Sequence, residues 1–172
     1  KLKARKSAHV SALADDASSL YWNPAGMLGV ENHEVAFVHN EWLLDLQHEF
    51  ISGVFKVGPN DRIGLSVSYL SMGEMEETSP ASPMGTGLFF SAYDVAMGIA
   101  YGRQLTDRLA LGFQTKFVRE SIAKSSAGGM AFDLGLLFKS EWNGLKIGAT
   151  ISNFGPDLRM TGDNLRTKLD PY

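Results

Sequence analysis

At 172 residues, with 44% hydrophobic side chains and a formal net charge of −3, the chain is long enough to bury a core of its own, and beyond Lys1–Lys6 it has no cationic run. That balance excludes nucleic acid as a partner. With no cysteine there is neither a disulfide framework nor a thiolate metal site, and every apolar run breaks well short of the roughly 18–20 residues of a membrane helix, which excludes a helical membrane protein.

The first organised stretch is DDASSLYWNPAGM, Asp15–Met27. Asp15 or Asp16 can cap a turn beginning near Ala17, with Leu20, Tyr21 and Trp22 buried along one side. Pro24 bars Asn23 from helical geometry and Gly26 permits a sharp reversal, so the turn must end there. Residues 1–31 are therefore read as a hatch or plug segment, with Asp15, Asp16, Tyr21, Trp22, Asn23, Pro24 and Gly26 as its candidate residues. Residues 32–172 are read as strands.

From about Glu34 the dominant period is two. Glu34–His39 and Glu49–Val57 are the weaker strands. Ile63, Leu65, Val67 and Tyr69 then alternate with small or polar residues, followed by Tyr93–Tyr101, Leu109–Phe117, Phe132–Phe138 and Leu145–Ile151 in the same pattern. Gly58–Asp61, Leu105–Asp107 and Glu141–Gly144 have the composition of tight turns. Longer polar stretches begin at Met72, at Glu120 and at Gly155, so connections are expected to run short, long, short, long. That rhythm is the habit of an up-and-down antiparallel sheet with tight turns on one rim and excursions on the other, as in outer-membrane barrels.

Alternation alone does not say which face is wet. A soluble β-sandwich or lipocalin-like barrel would turn the apolar face inward. Against that, the opposite face is rich in glycine, alanine and serine rather than in solvating lysine and glutamate, and glycine weakens a strand unless something approaches it closely. The apolar face also has no mid-strand charge, and Tyr69, Tyr93, Tyr101, Phe117, Phe132, Phe138 and Trp142 are expected at the levels of two interfacial girdles. The expected fold is thus all-β, an antiparallel up-and-down transmembrane β-barrel with a short N-terminal helical hatch.

Several segments carry a resemblance to a known family. LADDASSLYWNPAG and ISNFGPDLRMTG, with the intervening YDVAMGIAYGRQLTDRLALGFQTKFVRE and AFDLGLLFKSEWNGLKIGATISNFGPDLRM, resemble the PorV/PorQ family of FadL-like outer-membrane proteins, over almost the whole chain from about Val10. The resemblance implies an outer-membrane barrel of roughly 14 strands, of which about seven are present here as the N-terminal half. It also implies a non-enzymatic part in type IX secretion, with outer-membrane lipid around the barrel. Its partners would be other secretion or surface proteins: exported cargo bearing a C-terminal signal domain, and the attachment machinery. The alternative is FadL-like passage of hydrophobic small molecules, with a hydrophobic ligand in the lumen. A third class, a soluble adhesion sandwich, would need no membrane.

No cofactor or metal is expected. The histidines His9, His33, His39 and His48 form no His-Glu-x-x-His pair, and no nucleophile elbow or phosphate-binding glycine loop occurs. An outer-membrane lipase would need a serine and a histidine on adjacent strands near one rim, where His39 or His48 could serve. Asp94, Gln114, Lys116, Asp133 and Lys139 are the expected lumen residues, the charged ones as ion pairs or hydration sites. Asp157, Arg159 and Asp163 are expected in an extracellular loop that orders itself or meets a partner.

Overall fold

A computed structural model describes residues 13–162. Asp163 and the outer parts of both expected units therefore lie outside the described residues. The chain begins with one helical turn, α1 (Ser19–Trp22), and a 3-10 turn at Pro24–Gly29, and continues almost wholly as strands. These are β1 (His33–Glu41), β2 (Gln47–Lys56), β3 (Asp61–Ser71), β4 (Met75–Glu76), β5 (Phe89–Phe90), β6 (Ala92–Gln104), β7 (Leu109–Ile122), β8 (Ser125–Lys139), β9 (Lys146–Phe154) and β10 (Thr161–Gly162). Among the described residues no helix is long and apolar enough to cross a membrane. The fold is all-β and antiparallel.

One eight-stranded sheet holds the order β1-β2-β3-β6-β7-β8, with β9 and β10 both on the far edge of β8. Every long strand pairs with its sequence neighbour, which is what short reversals dictate. At the β8–β9 reversal, Asn143 (φ 51°) and Gly144 (φ 71°) both take left-handed geometry, and Leu145 N–H donates to Trp142 O. These are the central residues of a hairpin turn whose twist matches that of its strands. Among the described residues the sheet is open, since β1 does not pair with β9 or β10.

Two expected connections differ. The polar stretch from Glu120 is strand to its end: β7 and β8 are joined by Ala123 and Lys124 alone, with Ala123 at φ 51°. Cross-strand pairing through Ile122↔Ser125 carries residues whose composition reads as loop. The alternation of short and long connections therefore fails at this point. The stretch from Met72 is long, as expected, but folds a small sheet of its own from β4 and β5.

The register climbs steadily across the sheet. One row of cross-strand partners runs His33, Phe55, Ile63, Tyr101, Phe113, Leu134, Ile151. It starts at the tight-turn end of β1 and, measured from that end of each strand, rises by about one residue per strand until it lies well inside β8 and β9. Such a stagger tilts the strands against the axis about which the sheet curls.

The two faces differ in kind. Inward lie Ser52, Val54, Gly64, Ser66, Gly98, Ala100, Gly112, Gln114, Asp133 and Gly135, all buried; the N-terminal segment packs over Gly64, Gly112 and Gly135, while Gln114 and Ser66 cover Gly98. Leu20, Met27 and Val30 of that segment join Phe50, Val54 and Ala100 in the core. A Cβ at Gly112 would fall on the backbone of Pro24 and Ala25, and one at Gly135 on Asn23 Oδ1, so the absence of side chains there lets backbone meet backbone. Outward, Val35, Ile51, Leu65, Val67, Met97, Ile99, Phe113, Leu134 and Ile151 are exposed, with Ile99 at 66%. Tyr69, Tyr93, Tyr101 and Phe138 lie toward strand ends as expected, whereas Phe117 and Phe132 fall mid-strand.

The Gly112→Ala variant is expected to lower the urea midpoint by the equivalent of about 1–3 kcal/mol, since the obstructing atoms are backbone and yield poorly. It should also expose the Asn23–Gly29 stretch to protease. Gly128→Ala, where an added Cβ would meet its nearest neighbour at 3.5 Å, should leave both measurements unchanged.

Candidate functional site

The inward face divides into a seat for the N-terminal segment and a polar patch beyond it. At the seat, Asp16 is the capping residue of the two considered. Its Oδ1 accepts from Ser18 N–H at 2.9 Å and from Ser18 Oγ at 2.5 Å. Asp15 turns instead toward Lys146, 3.7 Å away. Asn23, held extended before Pro24 (φ −151°), accepts from Ala25 N–H at 3.0 Å and donates to the Leu136 carbonyl at 3.3 Å. It thus caps the 3-10 turn and ties it to β8, and both Asn23 and Pro24 are buried.

Two hatch expectations need correction. Leu20 is buried, but Tyr21 and Trp22 are 45% and 48% exposed, because a four-residue helix has only one side against the sheet. Tyr21 instead packs edge-on against Phe50 at 5.3 Å. Gly26 makes no left-handed reversal. Its value is space, since a Cβ there would strike Ala14 O and Ser19 Cβ.

The sheet's own side chains hold the segment's backbone, a signal that sequence reading missed. Ser52 Oγ donates to Ala17 O at 2.7 Å, and Glu34 Oε1 accepts from Ala17 N–H at 3.1 Å. Arg62, buried, donates from Nε to Val30 O at 2.8 Å and from Nη2 to Glu31 O at 3.3 Å. Three polar residues at inward strand positions thereby grip the two ends of one short segment. An inward arginine in an otherwise small-residue face is the clue that could have found the grip.

Beyond the seat, Gln114 and Asp133 sit side by side in the β7–β8 register, 1% and 3% exposed. Gln114 Nε2 donates to Ser66 Oγ at 3.0 Å. Lys116 Nζ lies 2.8 Å from Asp133 Oδ2 and donates to Asn153 Oδ1 at 2.6 Å, while Asn153 N–H donates to Asp133 Oδ1 at 2.7 Å. Asn153, at φ 57°, is the residue on which β9 bulges between Phe132 and Leu134, so this ion pair also fixes an irregular strand. Asp94 shares the inward face, half-buried. Lys139 does not belong to this patch: it is exposed at the tight-turn end of β8.

Near the other end of β2, the structure brings together a serine and a histidine on adjacent strands. His48 Nε2 is 3.0 Å from Ser68 Oγ, and Asn40 Nδ2 is 3.3 Å from His48 Nδ1. The three side chains form one hydrogen-bonded row in which His48 links Asn40 to Ser68, with the ring of Trp42 stacked on His48. His39, on the outward face, pairs with Glu49 at 2.5 Å.

Asp157 and Arg159 are exposed, but not on a free loop. The segment containing them runs along the edge of β8 between β9 and β10, with a Cβ at Gly129 falling 2.5 Å from Leu158 Cδ2. β9 and β10 are thus one interrupted strand. Among the described residues no group of histidine, aspartate or glutamate is placed to hold a metal ion.

A family model described as "Uncharacterised protein family (UPF0164)" matches residues 6–168. No curated protein and no solved structure matches the chain. The family description assigns no activity and makes no link to PorV/PorQ or FadL-like proteins.

Lys116→Met should cost about 3–5 kcal/mol, because it strands a buried carboxylate. The Lys116→Met, Asp133→Leu double variant should recover most of that loss in the same urea unfolding measurement. A double variant as unstable as the single one would mean that the pair acts through Asn153 and the bulge.

Proposed function

The chain belongs to the UPF0164 family, and from its geometry we propose that it forms part of the wall of an outer-membrane β-barrel, with the N-terminal segment as a hatch seated inside. The observation that carries this reading is the inversion of the two faces. Aromatic side chains each offer about 150–250 Å², so the outward Phe37, Tyr101, Phe113 and Phe117, at 64%, 46%, 46% and 46% exposure, leave roughly 300–500 Å² uncovered between them. Four residues therefore reach the largest apolar patch usual on a soluble monomer, about 300–600 Å². The aliphatic residues around them take the surface well past it.

The arrangement of charge supports the same reading. Outward rows such as Phe37, Ile51, Val67, Met97, Phe117, Met130 contain no charge. The outward Asp61–Arg103 pair, with Tyr101 donating to Asp61, lies at the tight-turn end; His39, Glu49 and Arg119 lie toward the other. The uncharged outward stretch runs from Tyr93 to Tyr101 on β6, from Leu109 to Phe117 on β7 and from Ser126 to Phe138 on β8, at or beyond the roughly 9–11 residues that a tilted strand needs to cross hydrocarbon. A register stagger from strand to strand is also what closing a sheet into a barrel requires.

Within that wall, the resemblance to PorV/PorQ proteins favours a non-enzymatic role in type IX secretion, binding or shuttling exported cargo at the cell surface. The end of the sheet away from the tight turns fits such a role. There the β4–β5 excursion exposes Met84 (95%), Leu88 (63%) and Phe89 (62%) beside Glu74 and Glu77, a mixed apolar and acidic surface suited to a protein partner. FadL-like transport of hydrophobic molecules is the alternative.

Expressed at full length in a Gram-negative host, the protein should fractionate with the outer membrane and leave it only with detergent. Release by salt or osmotic shock alone would overturn the wall reading. Copurification of a folded β-sandwich signal domain is the expected result for the secretion role; a bound fatty acid with no such domain would favour transport.

A further inference from the structure

At the tight-turn end the N-terminal segment and the sheet do not fully meet. A cavity of about 150 Å³ remains between them, lined by Asp15, Leu28, Arg108, Leu137, Lys139 and Lys146, with a few neighbours. Its charge is unbalanced. Lys139 and Lys146 are direct partners across the β8–β9 ladder, and like charges placed opposite one another destabilise a sheet. Arg108 comes to the same corner because its carbonyl accepts the Lys139 N–H.

The available carboxylates answer these cations unevenly. Glu141 engages Arg108 from the exposed β8–β9 turn. Asp15 stands 3.7 Å from Lys146 Nζ, well beyond the about 2.7–2.9 Å of a tight charge-assisted hydrogen bond. Among the described residues, no ion pair forms on Lys139. Two juxtaposed lysines, an arginine and a partly open cavity of small-ion size make up one corner.

We infer that this cavity is an oxyanion site, taking a single phosphate-sized anion from solution between Lys139, Lys146 and Arg108. An anion there offsets the lysine–lysine repulsion and fills the gap under Leu28. It also links the segment carrying Asp15 to the ends of β8 and β9. Lys139 and Lys146 alternate with outward Phe138 and Ile147, so the cavity opens on the inward side and draws on free solute rather than on a lipid headgroup. The inference rests on the fold alone and holds whether or not the outward face meets lipid.

The test is a titration of the purified full-length protein with inorganic phosphate at constant ionic strength, made up with chloride, read by calorimetry. Saturable binding is expected. Lys139→Gln should weaken it by about fivefold or more, the effect of removing one unit charge near 4 Å even in water. Asp15→Asn should tighten it, because the competing carboxylate is gone, and a damaged protein would not bind more strongly. Phosphate should also slow proteolysis of the N-terminal segment in the parent and not in the Lys139→Gln, Lys146→Gln double variant. Heats no different from those of added chloride, or equal affinity in all variants, would overturn the site.

Discussion

The close approach of one short backbone segment to one glycine-rich sheet face governs the rest of this molecule. A peptide chain can lie directly on a sheet only where side chains are missing, and Gly112 and Gly135 clear that ground for Asn23, Pro24 and Ala25. The same clearing leaves the inward face with little apolar area of its own. Its hydrophobic contact must come from the segment, through Leu20, Met27 and Val30 against Phe50, Val54 and Ala100. Most of the sheet's large apolar side chains are consequently on the other face, which none of the described residues covers.

Placement of the segment is specified more by hydrogen bonds than by grease. Hydrophobic contact is non-directional, and a seven-member cluster of modest side chains would tolerate sliding. Ser52, Glu34 and Arg62 prevent it, because each grips a backbone group of the segment at a fixed register position. Asn23 does the reverse, reaching from the segment to a strand carbonyl. Buried polar groups left unmet would cost more than a typical hydrogen bond contributes, so sliding the segment by a residue would strand Ser52, Glu34 and Arg62.

Strand identity was legible in the sequence because the period of two survives in every long strand, from the weak Glu34–His39 stretch to Leu145–Ile151. So were the tight turns, whose geometry Asn143 and Gly144 announce. The β7–β8 reversal was not, since Ser, Ala and Lys around Ala123 carry a loop's composition and only the partner strand makes them extend. Burial in the hatch was half legible. Leu20 could be assigned from its apolar neighbours, but a single helical turn has too few residues to show which side Tyr21 and Trp22 take. The inward face was recognisable as odd from its small residues, yet its contents were not: that Lys116, Asp133 and Asn153 converge depends on a β9 bulge with no clear sequence mark. Lys139 illustrates the converse, a correct inward parity placed too close to a strand end to be enclosed.

Under the proposed reading, the open edges carry the next consequence. Both β1 and the β9–β10 edge present unpaired backbone groups, and each such group costs several kcal/mol in hydrocarbon, where no water can meet it. Among the described residues neither edge has a covering helix, and proline occurs on them only as Pro156 in the crossing between β9 and β10. The β9–β10 edge is further interrupted by the Gly155–Met160 crossing, which leaves the middle of β8 less fully laddered than its ends. In a membrane wall both edges must therefore be met by further strands. The register stagger already dictates how those strands would run: tilted in the same sense, and offset along the axis by about one residue for each strand added.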